Sequence, residues 1–219
     1  MGALPNYFSG YQRLDDDAAR LKLARAWGTD KLSPETGIPA SHMMQAILDG
    51  RLQSLFVMGE NPVLSDPDQA HVLKALKKLP FLVVQDIFLT ETAEMADVVL
   101  PAAAFAEKRG HFTNTERRVQ RLEVALQSPG SARPDWQILQ LLANAMGADW
   151  HYSDEQAIWQ EVTALTPSYA GISWHRTTDN PAGLQWPCQM SNIRYPGIAP
   201  QQFHSRQRAT ATGQLSFTG

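Results

Sequence analysis

The sequence predicts an α/β fold in which a parallel β-sheet is covered by helices on both faces. Three short apolar segments, LQSLFVM (52–58), FLVVQD (81–86) and DVVLP (97–101), are separated by segments of helical pattern. Strands buried on both faces of a parallel sheet are continuously apolar, whereas strands with one wet face alternate. Continuous apolar strands that alternate with helices therefore predict a parallel sheet between two layers of helix.

Apolar periodicity and helix-end residues predict the helices around this sheet. DDDAARLKLARAW (15–27) has mostly helical apolar spacing, and its acidic residues stand at the start, where the helix dipole favours them. Ser41 is the predicted N-cap of HMMQAILDG (42–50), which a glycine ends. DQAHVLKALKKL (68–79) is amphipathic, and TAEMA (92–96) predicts a short helix.

The second half of the chain is less regular. VQRLEVAL (119–126) alternates enough to be either a strand or an extended arm, and helices are predicted at WQILQLLANAMG (136–147) and DEQAIWQEVTAL (154–165). The segment that follows is rich in proline, glycine and polar residues. We therefore predict a compact domain over residues 1–165 and an irregular extension over residues 166–219.

Composition excludes several classes of function. The chain has 219 residues, of which 43% are apolar, and 19 Lys and Arg against 22 Asp and Glu give a net charge of −3. This balance argues against broad nucleic-acid binding through phosphates. The apolar runs are too short to span a bilayer and no secretory signal is evident, so we expect a cytoplasmic protein. Cys188 is the only cysteine, which excludes an internal disulfide and a four-cysteine iron–sulfur cluster on this chain.

Common catalytic and metal motifs are missing from the sequence. The six histidines have no metal-ligand spacing, and neither HExxH nor GxSxG occurs, nor a Walker loop or a GxGxxG sequence. We therefore interpret most histidines as surface or packing residues, and Cys188 as a buried structural thiol. A candidate site has to be sought among other polar residues.

Polar residues follow each of the three predicted strands. In an open parallel sheet, ligands bind outside the carboxyl ends of the strands. A glycine there lets the backbone approach a ligand, and an asparagine offers both a donor and an acceptor. The strand-end residues are Gly59, Glu60, Asn61, Gln85, Asp86, Glu107 and Lys108. Because all of them belong to one edge of the sheet, the sequence predicts a binding site there.

Each of these residues also has an ordinary structural role. A Gly-x-Asn-Pro sequence after a strand is usually a turn, an aspartate at a strand end often caps the next helix, and an adjacent Glu–Lys pair is usually solvated and contributes little. The polar loop GHFTNTERRVQ (110–120), which contains Asn114, fits either one wall of a site or an exposed hairpin held by salt bridges. The convergence of three polar strand ends favours the ligand site.

Three longer segments carry a family resemblance. MGENPVLSDPD, FLVVQDIFLTETAEMADVVLPAAAFAEKRGHFTNTERRVQR and ARPDWQILQLLANAMG resemble the molybdopterin-guanine-dinucleotide oxidoreductases, above all the catalytic alpha subunit of formate dehydrogenase. The resemblance runs from Gly2 to about Cys188 and includes GALPN, GYQ and LQWPC, while the last thirty or so residues match poorly. It implies a Rossmann-like domain, the third of the four domains in the family's subunit. The first residues of this chain match a segment inside that domain.

The resemblance implies roles for the residues at the first two strand ends. Gly59, Glu60 and Asn61 match the family loop that lines one nucleotide of the cofactor. Gln85 and Asp86 match the strand-end pair that contacts the ribose and diphosphate region.

Three further residues complete the expected cofactor site. Lys108 matches a lysine near the pterin dinucleotide, and Asp135, in RPDW, matches an acidic residue at the guanine. A carboxylate can accept bonds from the N1 and N2 donors of guanine, which makes that assignment chemically reasonable. Asn114 is expected to present its amide near the strand-end crevice.

The resemblance implies that this chain carries only part of the machinery. The family's cysteine-rich cluster domain, its metal-ligating cysteine or selenocysteine and its C-terminal barrel have no counterpart here, and Cys188 matches the WPC motif. The expected cofactor is molybdopterin guanine dinucleotide with molybdenum or tungsten, held in part, with no catalytic residue, metal ligand or iron–sulfur cluster on this chain. Expected partners are a chain carrying the cluster and metal-ligand domains and other formate dehydrogenase subunits.

The expected function is a contribution to the two-electron oxidation of formate to CO2, made only with the missing domains or a partner. Two alternatives remain open: a non-catalytic cofactor-binding or assembly module, and a truncated remnant. Nitrate or another small oxyanion is the alternative substrate, because one fold serves many reactions.

Overall fold

The computed structural model describes residues 4–30 and 32–189. The last thirty residues of the predicted extension lie outside the described residues, as do the first residues of GALPN. The strands are β1 (Tyr7–Phe8), β2 (Gln12–Arg13), β3 (Ser54–Met58), β4 (Phe81–Asp86), β5 (Val98–Pro101), β6 (Gly110–Thr113), β7 (Arg118–Leu122) and β8 (Leu184–Gln185). The helices are α1 (Asp17–Ala26), α2 (Ala40–Leu48), α3 (Pro62–Ser65), α4 (Gln69–Lys78), α5 (Asp135–Ala145), α6 (Glu155–Leu165) and α7 (Trp174–Asp179).

The described residues form two compact units, each built from more than one stretch of the chain. The sheet unit comprises residues 37–109 and 123–151, and the hairpin unit comprises residues 4–36, 110–122 and 152–189. The boundary expected near residue 165 is not tested by this division and stays a prediction.

The sheet unit is a three-stranded parallel sheet in the order β3-β4-β5. Its first face packs on α2 and α4 because both helices turn an apolar stripe toward the strands. The buried residues of this core are Ile47, Val57, Val72, Ala75, Leu76, Leu79, Leu82, Val84 and Ala93. The predicted parallel α/β fold is confirmed.

The second face of this sheet is covered in part. Side chains alternate along β4, so Gln85 projects from the face opposite Val84. There it meets Asp135, the first residue of α5. Phe56, Phe81 and Val98, further from that end, remain more than a third exposed. Helices therefore lie on both faces, and α5 covers the carboxyl end of β4.

The hairpin unit is organised around the antiparallel strands β6, β7 and β8. VQRLEVAL, for which a strand and an arm were both open, begins as strand β7 and leaves it after Leu122. Beyond residue 165 the chain still forms α7 and β8. The core of this unit consists of Val119, Tyr169, Ile172, Trp186 and Cys188. The interpretation of Cys188 as a buried thiol is confirmed.

One predicted helix start is wrong, and the short helix predicted at TAEMA is of the 3-10 type. α2 begins at Ala40 with Pro39 at the N-cap, and Ser41 lies inside the first turn, where its hydroxyl contacts the ring of His42. Proline before a helix fixes an extended φ and takes the capping position without a side-chain bond. TAEMA forms a single 3-10 turn over Ala93–Met95, and β5 begins soon after it at Val98.

Candidate functional site

Two of the predicted strand ends lie side by side in the sheet unit. Met58 pairs with Gln85 in the parallel register, and the backbone N–H of Gly59 donates to the Gln85 carbonyl at 2.8 Å. Gly59 has φ +65°, in the left-handed region that favours glycine, and a Cβ there would meet no heavy atom within 4 Å. The backbone at the end of β3 is therefore open to approach.

Gln85, Lys108 and Asp135 form a polar cluster at the same end of the sheet. The Gln85 side chain is fully buried and donates from Nε2 to Asp135 Oδ1 at 2.8 Å. Lys108 Nζ donates to the other oxygen, Asp135 Oδ2. The structure thus brings together three residues that are 23 or more positions apart in sequence, each named in advance.

Gln85 Oε1 gives this cluster an unsatisfied acceptor. The atom is buried and has no hydrogen-bond partner. Burying a polar atom without a partner costs free energy, and such atoms in native proteins call for an explanation. An acceptor held in this state beside a carboxylate suits a ligand that donates hydrogen bonds.

Asp135 owes its position to the local sequence RPDW. Pro134 occupies the N-cap of α5 with φ −52°, and Asp135 is the first helical residue. A carboxylate in the first turn is stabilised by the helix dipole. Together with Lys108 this fixes a negative charge close to the sheet edge, with its side chain about one third exposed.

Asn61 uses its amide within the protein. Its Nδ2 donates to Glu91 Oε2 at 2.7 Å, and its Oδ1 accepts from the Thr92 hydroxyl at 2.7 Å. The bond from Asn61 lowers the pKa of Glu91. Thr92 is fully buried, and its hydroxyl also accepts from the backbone N–H of Val63. Asn61 therefore links the Gly-x-Asn-Pro loop to the loop that contains Glu91 and Thr92, and Glu60 is exposed. The nucleotide contacts expected of Gly59, Glu60 and Asn61 stay predictions.

We expect Asn61→Ala to lower the free energy of unfolding by about 1–3 kcal/mol, because the buried Thr92 then loses an acceptor. Urea unfolding followed by circular dichroism measures the change. The neighbouring Glu60→Ala, at an exposed position, is the control and should change stability by less than about 0.5 kcal/mol. Equal effects of the two substitutions would contradict the role of Asn61 as a tie.

Asp86 has a local structural role as well. Its Oδ1 accepts from the backbone N–H of Phe88 at 3.0 Å, which closes the turn after β4. Its carbonyl accepts from the backbone N–H of Ala102 at 3.0 Å. The contact that the family resemblance implies with a ribose or diphosphate stays a prediction.

Asn114 lies in the hairpin unit, at the turn between β6 and β7. Its Oδ1 accepts from the backbone N–H of Arg118 at 2.9 Å, and its carbonyl accepts from that of Arg117. Arg117 has φ +63°, and Arg118 pairs with Glu116 at 3.5 Å. GHFTNTERRVQ therefore forms the salt-bridged hairpin that was one of its two interpretations. A cofactor contact of Asn114 stays a prediction.

Residues 4–30 and 32–189 contain neither a cluster of metal-ligating side chains nor a helix able to cross a membrane. No three histidine, cysteine, aspartate or glutamate side chains there converge as they would around a metal ion. None of the helices in these ranges combines the length and the apolar character needed to cross a membrane.

Sequence reasoning missed two features of the sheet unit. The buried hydroxyl of Thr92 is 31 positions from its partner Asn61, and no spacing rule connects them. The link between Lys108 and Asp135 was also not foreseen, although both residues were named. Gln85 did carry a signal, because a glutamine inside the apolar run FLVVQD is unusual in a buried strand.

The parallel sheet and the polar groups at its carboxyl end define an α/β domain of the Rossmann-like class. Acetylene hydratase from Pelobacter acetylenicus shares this fold with a TM-score of 0.53 at 20% identity, over 78% of this chain and 24% of that one. A family model described as molybdopterin oxidoreductase matches residues 7–145, and the chain belongs to this family.

Two of the similar proteins are alpha subunits of F420-dependent formate dehydrogenases. One, from Methanocaldococcus jannaschii, is 48% identical over 195 residues, which are 88% of this chain and 28% of that protein. The other, formate dehydrogenase 1 of Methanococcus maripaludis, is 47% identical over 191 residues, 86% of this chain and 27% of that protein. The chain thus spans little more than a quarter of the length of these relatives.

Proposed function

We propose that this chain is part of a formate dehydrogenase-type molybdopterin oxidoreductase and holds part of a molybdopterin guanine dinucleotide. The observation that carries the proposal is the cluster of Gln85, Lys108 and Asp135 at the carboxyl end of a parallel sheet. This is the edge at which such sheets bind nucleotides.

The donor and acceptor groups of the cluster fit a guanine nucleotide. The N1 and N2 groups of guanine donate, and the two oxygens of Asp135 are acceptors at the sheet edge. Gln85 Oε1, buried without a partner, adds a further acceptor. In the structure Gln85 and Lys108 each donate a hydrogen bond to one oxygen of the Asp135 carboxylate. Guanine binding therefore requires at least one of them to move.

Lys108 is the group that we expect to move. A lysine ammonium is a compact charge on a flexible stem, which suits it to bind phosphate oxygens. Released from Asp135, Lys108 would pair with the diphosphate of the cofactor. The open backbone at Gly59 would let the nucleotide lie against the end of β3, with Asp86 and Asn114 as further expected contacts.

The bound cofactor, with molybdenum or tungsten, would supply the two-electron chemistry by which formate becomes CO2. The residues of this chain would bind and orient the nucleotide end and leave the reacting atoms to other parts of the enzyme. Because the chain spans about a quarter of its relatives, we expect the metal ligand and the electron-carrying clusters on further polypeptide. The names of the relatives favour formate over nitrate.

The proposal is tested by denaturing the chain, purified in complex with its partner from a host that makes molybdopterin guanine dinucleotide. We expect release of guanosine monophosphate and a fluorescent pterin. The amount of each should be about one per chain or, where the complex holds two pterin dinucleotides, about one per dinucleotide. The same complex from a host that cannot attach the guanine nucleotide is the control. Complexes that never contain pterin or guanine nucleotide would refute the proposal.

Formate oxidation by the reconstituted complex separates a catalytic part from a non-catalytic module. If adding this chain to the partner restores formate-dependent dye reduction, an assembly role alone is excluded. If it restores cofactor content without formate oxidation, the binding module is the correct description. Nitrate reduction in the same assay would indicate the alternative substrate.

A further inference from the structure

Seven aromatic rings of the hairpin unit form an unbroken row. Neighbouring rings are related by edge, tilted or stacked contacts of the kind that aromatic side chains prefer. From one end to the other, the centroid distances are Trp174–His111 5.0 Å, His111–Trp159 3.8 Å, Trp159–Tyr169 5.7 Å, Tyr169–Trp186 6.0 Å, Trp186–Tyr11 6.0 Å and Tyr11–Tyr7 5.7 Å. We call this set the aromatic row.

The aromatic row passes through the core of the unit and reaches the surface at Tyr11. Tyr169 and Trp186 are 6% and 7% exposed and belong to the core, whereas Tyr11 is 43% exposed. Trp159 is also anchored, because its indole N–H donates to the Ile172 carbonyl at 2.7 Å. The rings are therefore held in place between a buried part and a solvent-exposed phenol.

We infer that the aromatic row conducts single oxidising equivalents from Trp159 to the surface at Tyr11. Indole and phenol are the most readily oxidised rings among the side chains, and electron transfer between two rings is fast only when they lie close together. Every step of the row joins rings in or near van der Waals contact. A protein of an oxidoreductase family can meet one-electron oxidants, so a route that carries their oxidising equivalents from the partly buried Trp159 to the surface has a use.

The net reaction balances in electrons and protons. A one-electron oxidant of the small-radical class takes one electron from Trp159 and is itself reduced. An electron then passes from Tyr11 through Trp186 and Tyr169 to Trp159, which returns to its starting state. Tyr11 loses that electron and gives its phenolic proton to water, so one tyrosyl radical and one proton remain at the surface.

The surroundings of the rings favour Tyr11 as the end of the row. Tyr169 is buried, and burial raises its pKa, so transfer of its phenolic proton to water is less favourable there than at the exposed Tyr11. The guanidinium of Arg121 lies 5.3 Å from the ring centroid of Trp174 and opposes a positive charge at that end. Arg117 lies 5.8 Å from the ring of Trp186, which makes Trp186 a bridge and not a resting place.

Pulse radiolysis of the full chain with azide radicals tests the inference, because azide oxidises tryptophan selectively. We expect the absorption of the tryptophan radical to decay as that of a tyrosyl radical grows, with a first-order rate that does not depend on protein concentration. In Tyr7→Phe/Tyr11→Phe the tyrosyl growth should be lost. The control, Tyr152→Phe, removes a phenol outside the aromatic row and should keep it.

Two further variants probe the interior of the row. Tyr169→Phe retains the packing but raises the energy of the middle step, so the transfer should slow severalfold. Arg117→Asn removes the cation beside Trp186 and keeps a residue type that tolerates positive φ, so the transfer should become faster. Rings that serve packing alone would give no such acceleration.

The opposite pattern would overturn the inference. Tyrosyl growth that survives unchanged in Tyr7→Phe/Tyr11→Phe, or that is lost only in Tyr152→Phe, would assign the transfer to another route. The competing route is defined by Trp27 and Tyr152, which both donate to Glu161. If the Tyr7→Phe/Tyr11→Phe variant does not fold, which near-ultraviolet circular dichroism would show, Tyr169→Phe is the deciding variant. An unchanged rate of tyrosyl-radical growth in Tyr169→Phe would reject electron transfer along the aromatic row.

Discussion

Replacing Asp135 with asparagine should remove most of the guanine-nucleotide binding while leaving the sheet unit folded. The asparagine keeps the size of the side chain but can accept through one oxygen only, and it loses the charge. Hydrogen bonds to charged groups are worth about 1.5–3 kcal/mol each, so the dissociation constant should rise about tenfold or more. Calorimetric titration of the complex with GDP, and with ADP as the base control, measures the loss.

The contact between Asp135 and Lys108 means that Asp135→Asn should also change the stability of the chain. In Asp135→Asn the ammonium of Lys108, whose side chain is only 20% exposed, loses its ion-pair partner. We expect a stability loss of about 1–3 kcal/mol, since a partly buried charge is left unpaired. In Lys108→Met/Asp135→Asn much of that stability should return, because neither charge remains and the asparagine oxygen can still accept from the buried Gln85 amide, but nucleotide binding should not return.

A double-mutant cycle over these two positions separates binding from stability. The coupling energy for unfolding reports the ion pair, and the coupling energy for GDP binding reports the exchange of Lys108 from Asp135 to phosphate. Glu94→Gln, at an exposed position of the same unit that has no expected role in the site, is the matched control for a lost carboxylate. If Asp135→Asn binds GDP as well as the unchanged chain, Asp135 does not recognise guanine.

The fold was predictable because its signals are local. FLVVQD is continuously apolar over a whole strand, and α4 shows amphipathic spacing over three turns, so both appear where the pattern places them. Helix starts are less certain, because competing caps lie within two residues of each other. At α2 the proline at 39 and the serine at 41 both fit the pattern, and only the chain path decides between them.

The residues of the candidate site could be named from the sequence, but the contacts between them could not. Sequence reasoning named Gln85, Lys108 and Asp135 separately, and their shared hydrogen bonds emerged only from the fold. It did not foresee that the amide of Asn61 bonds to Glu91 and Thr92, and the expected contact of Asn61 with the cofactor stays a prediction. Such contacts join loops about 30 positions apart, and no periodicity in the sequence encodes them.

His111 illustrates the same limit. The ring is one of six scattered histidines, and its stacking and hydrogen-bond partners, Trp159 and Thr177, are more than 45 positions away. It stacks on Trp159 with a centroid distance of 3.8 Å, and its Nε2 lies 2.8 Å from the Thr177 hydroxyl. Burial, with a smaller contribution from the positive charge of Arg121, lowers the pKa of His111 to about 4.

We expect the stability of the chain to fall as the pH is lowered from about 6.5 to about 4. Above pH 6.5 the ring is neutral in both folded and unfolded chains, so the full stability is present. Below it the unfolded chain binds a proton at the ordinary pKa of 6.5, whereas the folded chain resists protonation until about 4. Linkage then gives a loss of at most about 3 kcal/mol, which solvent screening of the partly exposed ring reduces to roughly 1–2 kcal/mol.

His111→Phe should remove this part of the pH dependence, because phenylalanine retains an aromatic ring beside Trp159 and has no proton to bind. At pH 7.5 it should be slightly less stable, since the Thr177 hydroxyl loses its partner on the ring. Urea unfolding across the pH range, compared with the unchanged chain, isolates the histidine from the carboxylates that titrate in both. His175→Phe is the control, because the His175 side chain is 85% exposed and its loss should leave the pH dependence almost intact. A pH profile of His111→Phe that is as steep as that of the unchanged chain would show that another group causes the acid loss.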